Sequence, residues 1–256
     1  MKKRVQPHIM CGVGDVAKYV LVSGDPKRVE KIAAMFDEGS KVAEYRGFVT
    51  YTGSVDGIGI SASSHGIGCP SAAIVVEELA RVGAEIFIRV GTTGALQPEI
   101  KSGDIVVATA AVRAEGASKC YVPLEFPAVA DFDVTMALVE AARKLKQNVH
   151  LGPVLTRDVF YGDIENLRFW RRFNVLSVEM ESSVIFIIAS LKKLKAGTIL
   201  AVDGNPLLGV GKGEFEHGQR TGELDRTVQN AIKNEAQIAI EAVKLLENMP
   251  KARRSK

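Results

Sequence analysis

The chain has 256 residues, of which 46% are hydrophobic and 25% charged, a composition that supports a full-sized core and excludes disordered and fibrous proteins. Its net charge of +3 derives partly from basic residues at 2–4 and 251–256, so it does not indicate a nucleic-acid-binding surface. The apolar run 184–191 is too short to span a bilayer, and Cys11, Cys69 and Cys120 lack metal-ligand spacing. We therefore expect a cytoplasmic protein with no nucleic-acid partner, membrane partner or metal site.

Apolar, strand-like runs alternate along the chain with segments of helical periodicity. Strands are predicted at residues 19–22, 59–64, 86–90, 105–112, 149–155, 176–180 and 198–202. Helices are predicted at residues 26–35, 70–82, 134–145, 182–191 and 224–246. The alternation predicts a single α/β domain over residues 1–256, with a basic tail at about 249–256 outside its core. Ligands of such sheets bind just beyond the strand ends, so the functional prediction depends on these junctions.

The first junction, residues 24–28, reads Gly-Asp-Pro-Lys-Arg and joins a strand to a helix. Gly24 ends the strand, and Arg28 lies in the first helical turn, where free N–H groups and the helix dipole favour an anion. The pattern indicates phosphate, although a capped helix with an exposed arginine would have the same sequence. Further along, Arg46 precedes Gly47 between two strand-like pieces and is, taken alone, typical of a surface residue.

Two glycine-rich segments are similar to nucleotide-binding motifs but do not meet their requirements. In residues 66–71, Ser71 replaces the third glycine of a dinucleotide-binding turn and Pro70 interrupts the turn. In residues 209–213, Gly213 replaces the Ser or Thr that would bind magnesium in a P-loop. Neither segment predicts a nucleotide cofactor.

The most informative segment is 86–95, in which Arg89 lies inside an apolar strand and Gly-Thr-Thr-Gly follows at 91–94. A guanidinium stays charged and is costly to bury unpaired, so Arg89 requires a carboxylate or a phosphate beside it. Residues 91–94 predict a tight turn in which backbone N–H groups and threonine hydroxyls approach a ligand. The alternative is a structural arginine–glutamate pair beside an ordinary turn.

Carboxylates lie at the ends of the last two predicted strands. Residues 178–182 read Val-Glu-Met-Glu-Ser and place Glu179 and Glu181 beside a strongly apolar helix, where carboxylates need partners. A carboxylate accepts two hydroxyl donors at once, as a vicinal diol such as ribose requires. Asp203 ends the apolar run 197–202. The glutamates or Asp203 could instead cap the turn that follows them.

Taken together, these motifs resemble the hexameric nucleoside phosphorylase family. The resemblance covers roughly residues 5–246 and is carried, in order, by 24–28, Arg46, 89–94, 125–131 (Glu-Phe-Pro-Ala-Val-Ala-Asp) and 178–182. It implies a central mixed β-sheet flanked by helices and a reaction in which inorganic phosphate cleaves a nucleoside to the free base and (deoxy)ribose 1-phosphate. Phosphate is then a co-substrate, and no metal or organic cofactor is expected.

The resemblance also implies a role for each site residue. Five residues would surround the phosphate: Gly24, Arg28, Arg46, Arg89 and Thr92. Four would contact the ribose: His8, Thr92, Met180 and Glu181. Three would contact the base: Phe160, Val178 and Asp203. His8 and Arg46 would reach the site from a neighbouring subunit, and the implied assembly is a homo-hexamer built as a trimer of dimers.

Two of these residues are the predicted catalytic residues. Cleavage at the anomeric carbon builds positive charge on the ribose, so a phosphate dianion held by Arg89 both stabilises that charge and supplies the nucleophile. In purine-cleaving members, a carboxylic acid near N7 of the base helps the base to leave. Residues 199–206 resemble the branch that cleaves 6-oxopurine nucleosides, which makes Asp203 that acid and inosine and guanosine the expected substrates.

Other activities stay open at this point. Uridine phosphorylase is the alternative within the family, because residues 116–118 and 125–131 resemble that branch. That branch places a glutamine and an arginine shortly after the phenylalanine that stacks on the base, and they bind the uracil carbonyls. Neither residue follows Phe160 at those positions here, and Asn166 or Arg168 could replace them only in a rearranged loop. A hydrolase is the second enzymatic alternative, but the pairing of Arg28 and Arg89 argues against it, because a water nucleophile needs no cluster of cations. A nucleoside-binding module without turnover is the non-enzymatic alternative.

Overall fold

One mixed β-sheet forms the centre of the protein in the computed structural model, which describes residues 4–209, 215–216, 219–220 and 222–249. Its strands are β1 (Tyr19–Ser23), β2 (Glu38–Tyr45), β3 (Phe48–Val55), β4 (Ile58–Ser64), β5 (Ile86–Ala95), β6 (Ile105–Ala114), β7 (Ala128–Val129), β8 (His150–Arg157), β9 (Ser177–Glu179) and β10 (Lys195–Gly204). A separate hairpin consists of β11 (Phe215–Glu216) and β12 (Gln219–Arg220).

The sheet closes on itself around β5. Its order is β10-β6-β8-β9-β5-β1-β4-β3-β2, β7 lies beside β6, and β10 pairs with β5 as well as with β6. Strands β1, β4, β5 and β10 run parallel to one another, whereas β9 runs antiparallel to β5. The carboxyl ends of four parallel strands therefore meet at one edge of the sheet. Because β9 is antiparallel to β5, the residues after β9 run toward the amino-terminal end of β5.

Helices cover both faces of the sheet. In the described part of the chain they are α1 (Pro26–Ala33), α2 (Cys69–Arg81), α3 (Phe132–Lys144), α4 (Ile164–Arg171), α5 (Ser182–Leu191) and α6 (Gly222–Asn248). One core contains the buried sides of α2 and α5, a second contains those of α1, α3 and α6, and a smaller third contains Leu167 of α4. The predicted α/β class with a central mixed sheet is confirmed. None of the described helices is long and apolar enough to cross a membrane.

All the predicted strands and helices are present, but the turn predicted at residues 91–94 is wrong. These residues continue β5 to Ala95 and pair with β10, from Gly91 opposite Leu200 to Gly94 opposite Gly204. The pairing supplies partners for the backbone groups that an isolated turn would leave free, a long-range effect that the local sequence does not reveal. Asp203 likewise lies inside β10, at an irregularity in the pairing between Val202 and Gly204.

Five strands (β2, β3, β7, β11 and β12) and one helix (α4) were not predicted. Two of these elements have a weak apolar pattern. Strand β2 is almost entirely exposed at the edge of the sheet, and α4 buries only Leu167 among its own residues. The predicted basic tail at about 249–256 lies outside the described residues apart from Met249, which packs against the core of α1, α3 and α6.

Candidate active site

Arg89 is buried in β5, where its guanidinium contacts three side chains. Nε donates to Oε2 of Glu179 at 2.9 Å, Nη2 lies 2.5 Å from Oε2 of Glu181, and Nη1 lies 3.3 Å from Nε2 of His65. Burial alone would lower the pKa of Arg89, but the Glu181 and Glu179 carboxylates outweigh it and hold that pKa above its ordinary value. The arginine–glutamate pair that the sequence allowed is therefore present.

The antiparallel course of β9 explains how the two acids reach Arg89. Val178 pairs with Gly94 near the end of β5, so the following residues run back beside the strand toward Arg89. Residues 178–182 and Arg89 are far apart in sequence, and only this pairing brings them together.

The two glutamates differ in the hydrogen-bonding capacity that remains to them. Oε2 of Glu179 also accepts the backbone N–H groups of Glu181 and Ser182, each at 2.9 Å, and its Oε1 accepts the Thr156 hydroxyl. Oε1 of Glu181 accepts one bond, from the N–H of Gly68 at 2.6 Å. Each carboxylate oxygen has two lone pairs, so Glu181 retains capacity for a ligand hydroxyl while Glu179 chiefly holds the protein together.

His65 is a neutral histidine that faces a cation. Its Nδ1 lies 2.9 Å from the carbonyl oxygen of Gly66, which can only accept, so Nδ1 carries the proton and Nε2 accepts from Arg89. Burial, followed by the charge of Arg89, lowers the pKa of His65 to about 3. His65 was not among the predicted site residues, although it follows a predicted strand directly.

Glycines at the edge of the sheet make room for close packing. A Cβ on Gly24 would lie 2.9 Å from the carbonyl oxygen of Gly66, and one on Gly91 would lie 2.8 Å from Nη1 of Arg89. A Cβ on Gly94 would lie 3.2 Å from the Pro206 ring. Gly91 and Gly94 thus lie in a strand and accommodate the protein's own side chains, whereas the sequence predicted that they form a turn.

Arg28 lies in the first turn of α1 with its side chain directed into the protein. The side chain is 13% exposed, and Nη1 lies 3.8 Å from Oε1 of Glu235, a fully buried acid on α6. Asp25 caps the helix by accepting the N–H of Lys27, so the capped helix that the sequence allowed is present, but its arginine is not exposed.

Arg28 and Arg89 belong to one electrostatic site. Burial raises the pKa of Glu235 to about 8, against the opposing charges of both arginines. The same two arginines also lower the pKa of His65, beside the larger effect of burial. Asp203, which is 9% exposed, raises the pKa of Glu235 further and so lies at the same edge of the sheet.

The remaining predicted residues divide into two groups. Thr92 follows Arg89 in β5, and Val178 and Met180 flank Glu179; all three are half-buried at the same edge. Three others lie elsewhere on the chain: His8, Arg46 and Phe160. Glu78 on α2 holds His8 at 2.6 Å, Arg46 is exposed in the β2–β3 hairpin turn with φ 52°, and Phe160 is 53% exposed beside Tyr161.

Glu235 is a second functional candidate that was not predicted from the sequence. It lies in the buried stripe of α6, where the other members are apolar: Val228, Ala231, Ile238 and Ala242. An acid at an apolar position of a 3.6-residue repeat was the available signal. Among the described residues, no three His, Cys, Asp or Glu side chains group together in a way that could hold a metal ion.

Comparison with known proteins identifies relatives along nearly the whole chain. A family model described as the phosphorylase superfamily matches residues 18–244. A guanosine phosphorylase from Halorubrum lacusprofundi is 43% identical over 89% of this chain and 95% of the relative. A uridine phosphorylase from Thermococcus kodakarensis is also 43% identical, over 94% of this chain and 87% of the relative.

A solved structure shows the same fold. The uridine phosphorylase from Vibrio fischeri superposes with a TM-score of 0.87 at 31% identity, covering 96% of this chain and 99% of that one. Relatives of equal identity thus carry names that refer to different bases.

Proposed function

The chain belongs to the phosphorylase superfamily, and from this premise we propose that it cleaves nucleosides with inorganic phosphate to give a free base and (deoxy)ribose 1-phosphate. The nucleosides that we propose are those of 6-oxopurines, inosine and guanosine. The observation that carries the proposal is the meeting of Arg28 and Arg89 at one edge of the sheet beside Glu181 and Asp203. Two cations suit a phosphate dianion, and a carboxylate suits ribose hydroxyls.

In the proposed reaction, Arg28, Arg89 and Thr92 hold phosphate against the anomeric carbon, with Gly24 lining the phosphate site. Glu181 and Met180 position the ribose, so that the phosphate approaches the face on which positive charge develops. Phosphate is itself the nucleophile, and we propose that no metal or organic cofactor takes part. A chelator such as EDTA should therefore leave the rate unchanged.

The proposed preference for purines depends on Asp203 and on the loop after β8. Asp203 lies at the edge where β10 ends, and as a carboxylic acid it suits N7 of a purine, with Phe160 and Val178 against the base. Arg168, which would have to move to bind a uracil carbonyl, is paired with Glu165 on exposed α4 at 2.5 Å. The uridine phosphorylases among the relatives favour uridine as the second candidate.

We further propose that His8 and Arg46 complete the site of a second copy of the chain, within a homo-hexamer that is a trimer of dimers. Arg46 is exposed in a hairpin turn and His8 is 37% exposed in its side chain, so both are available to a neighbouring subunit. Sedimentation of the purified protein gives the number of subunits, and a monomer with full activity would contradict the proposal.

A substrate panel tests the activity. The protein is incubated with inosine, guanosine or uridine, with and without phosphate, and the released base is measured by chromatography. We expect phosphate-dependent release, with a higher kcat/KM for inosine and guanosine than for uridine. Release without phosphate would indicate a hydrolase, a higher kcat/KM for uridine would indicate a uridine phosphorylase, and binding without release would indicate a nucleoside-binding module.

Two arginine variants test whether Arg28 binds phosphate directly or affects phosphate binding only through the overall charge of the protein. Arg28→Ala should raise the KM for phosphate about tenfold or more, equivalent to about 1.4 kcal/mol. Arg143→Ala is the matched control, because Arg143 is an exposed arginine on α3 that pairs with Glu140. Equal KM values for the two variants would remove Arg28 from the phosphate site.

A further inference from the structure

Glu235 is a fully buried acid to which the proposed reaction assigns no role. Its Oε2 accepts the backbone N–H of Ala201 in β10 at 2.8 Å. Its Oε1 has no hydrogen-bond partner among the described residues and lies 3.8 Å from Nη1 of Arg28. A buried carboxylate in this position depends on the arginine for its compensation, because no hydrogen-bond donor of the described residues stabilises the second oxygen.

The charges that act on Glu235 lie on three neighbouring elements. Arg28 on α1 and Arg89 on β5 are cationic, and Asp203 on β10 is acidic. On α3, Lys144 pairs with Glu241, six residues beyond Glu235 along α6 and hence about 9 Å away. The arginines are therefore the cations that act on Glu235.

Arg28 supplies the positive charge that an anion needs at this edge. Arg89 is already opposed by the two carboxylates of Glu179 and Glu181, at 2.9 and 2.5 Å. An ionised Glu235 would cancel the charge of Arg28 as well and would repel a dianion. A tetrahedral anion and the Glu235 carboxylate thus compete for the same guanidinium.

We propose that Glu235 is a positioning residue for Arg28 that binds one proton when an anion occupies the site. This inference rests on the proposed phosphate site. Above about pH 8, the carboxylate of the empty site is ionised and holds Arg28; when the anion engages Arg28, one proton from the solvent adds to Oε1 and no other covalent bond changes. The neutral acid keeps the hydrogen bond from Ala201 through Oε2, so the arginine is released without any movement of α6.

The acid–base properties of Glu235 agree with this role. Burial raises the pKa of Glu235 to about 8, and the negative charge of Asp203 raises it as well. Arg28, the N–H of Ala201 and Arg89 lower this pKa. An anion that screens Arg28 removes one of the opposing charges and raises the pKa further. Glu235 thus has one pKa in the empty site, about 8, and a higher pKa in the occupied site. At a pH between these two values, binding of each anion takes up about one proton, so the affinity for the anion should fall about tenfold per pH unit above pH 8.

Isothermal titration calorimetry of the full chain tests the proposal. Inorganic phosphate and sulfate, a tetrahedral dianion that does not titrate in this range, are injected at about pH 8.5 in two buffers of different ionisation enthalpy. The difference between the two apparent enthalpies gives the number of protons taken up. We expect close to one for the wild type and none for Glu235→Gln, whose sulfate affinity at this pH exceeds that of the wild type.

The matched control is Glu140→Gln, which removes an exposed acid on α3 and should retain the proton uptake of the wild type. Sulfate binding to the wild type without proton uptake overturns the inference and leaves the proposed function standing. Uptake that persists in Glu235→Gln also overturns it. If no anion binds to the wild type, both the inference and the proposed phosphate site fail.

A measurement on the wild type keeps the inference falsifiable if Glu235→Gln does not fold. Infrared difference spectra on sulfate binding should show the carbonyl stretch of one newly protonated carboxyl at about pH 8.5 and none at about pH 6. Absence of that band at the higher pH overturns the inference.

Discussion

Nε2 of His65 accepts a hydrogen bond from Nη1 of Arg89 at 3.3 Å, so a neutral imidazole orients the cation that two carboxylates hold from the other side. The arrangement requires His65 to stay unprotonated, since an imidazolium would face the guanidinium as a like charge. The proton on Nδ1, directed at the Gly66 carbonyl, fixes the tautomer that makes this contact possible.

The stability of the protein should therefore depend on pH through His65. Its pKa is lowered to about 3 in the folded state, so between about 6.5 and 3 the unfolded chain binds a proton that the folded chain does not. The free energy of unfolding loses up to about 1.4 kcal/mol per pH unit from this group as the pH falls through that window. Urea denaturation of the wild type and His65→Gln at several pH values should give slopes that differ by one proton; identical slopes would refute the assignment.

Gly91→Ala should weaken phosphate binding indirectly, by displacing the Arg89 guanidinium. The added Cβ would lie 2.8 Å from Nη1 of Arg89, so the guanidinium must shift, at a cost of about 1–3 kcal/mol. We expect the KM for phosphate to rise about tenfold or more. Gly59→Ala is the control, because its Cβ would make only an ordinary contact at 3.6 Å with Ala17. A phosphate KM that is the same in both variants would contradict the role of Gly91.

Asp203→Asn should distinguish the two candidate substrates. An amide cannot donate a proton as a carboxylic acid does, so kcat/KM for inosine should fall about 10²- to 10⁴-fold, while any uridine cleavage changes little. Asp104→Asn, in a half-exposed acid that pairs with His150 at 2.9 Å, serves as the control. Equal losses on inosine and uridine would exclude Asp203 as the acid at the base.

Mixing two variants with impaired phosphate binding should restore activity if sites are shared between subunits. In a dimer of one Arg28→Ala and one Arg46→Ala chain, one site retains both arginines and the other lacks both. Random co-assembly makes about half of the dimers mixed, so about a quarter of the sites should regain wild-type activity. Steady-state rates of the co-refolded mixture give this fraction. A mixture no more active than its separate components would place Arg46 outside a neighbour's site.

Local periodicity was sufficient to predict most of the elements. Strands and helices with a clear apolar pattern were found within a few residues of their bounds. The exposed β2, the weakly buried α4, β3 and the two-residue strands β7, β11 and β12 were not predicted. The turn predicted at 91–94 failed for a different reason, since glycine and threonine satisfy a turn locally while pairing with β10 keeps them in a strand.

The need of Arg89 for an anionic partner follows from residue type alone, because no protein environment removes the charge of a guanidinium. The order of residues also predicts glycines, arginines and carboxylates near the strand ends. Which of these groups meet depends on the fold: β9 turns Glu179 back onto Arg89, and α6 brings Glu235 to 3.8 Å from Arg28. Such contacts depend on strand order and helix packing, and these are set by the burial of the whole chain rather than by any local pattern.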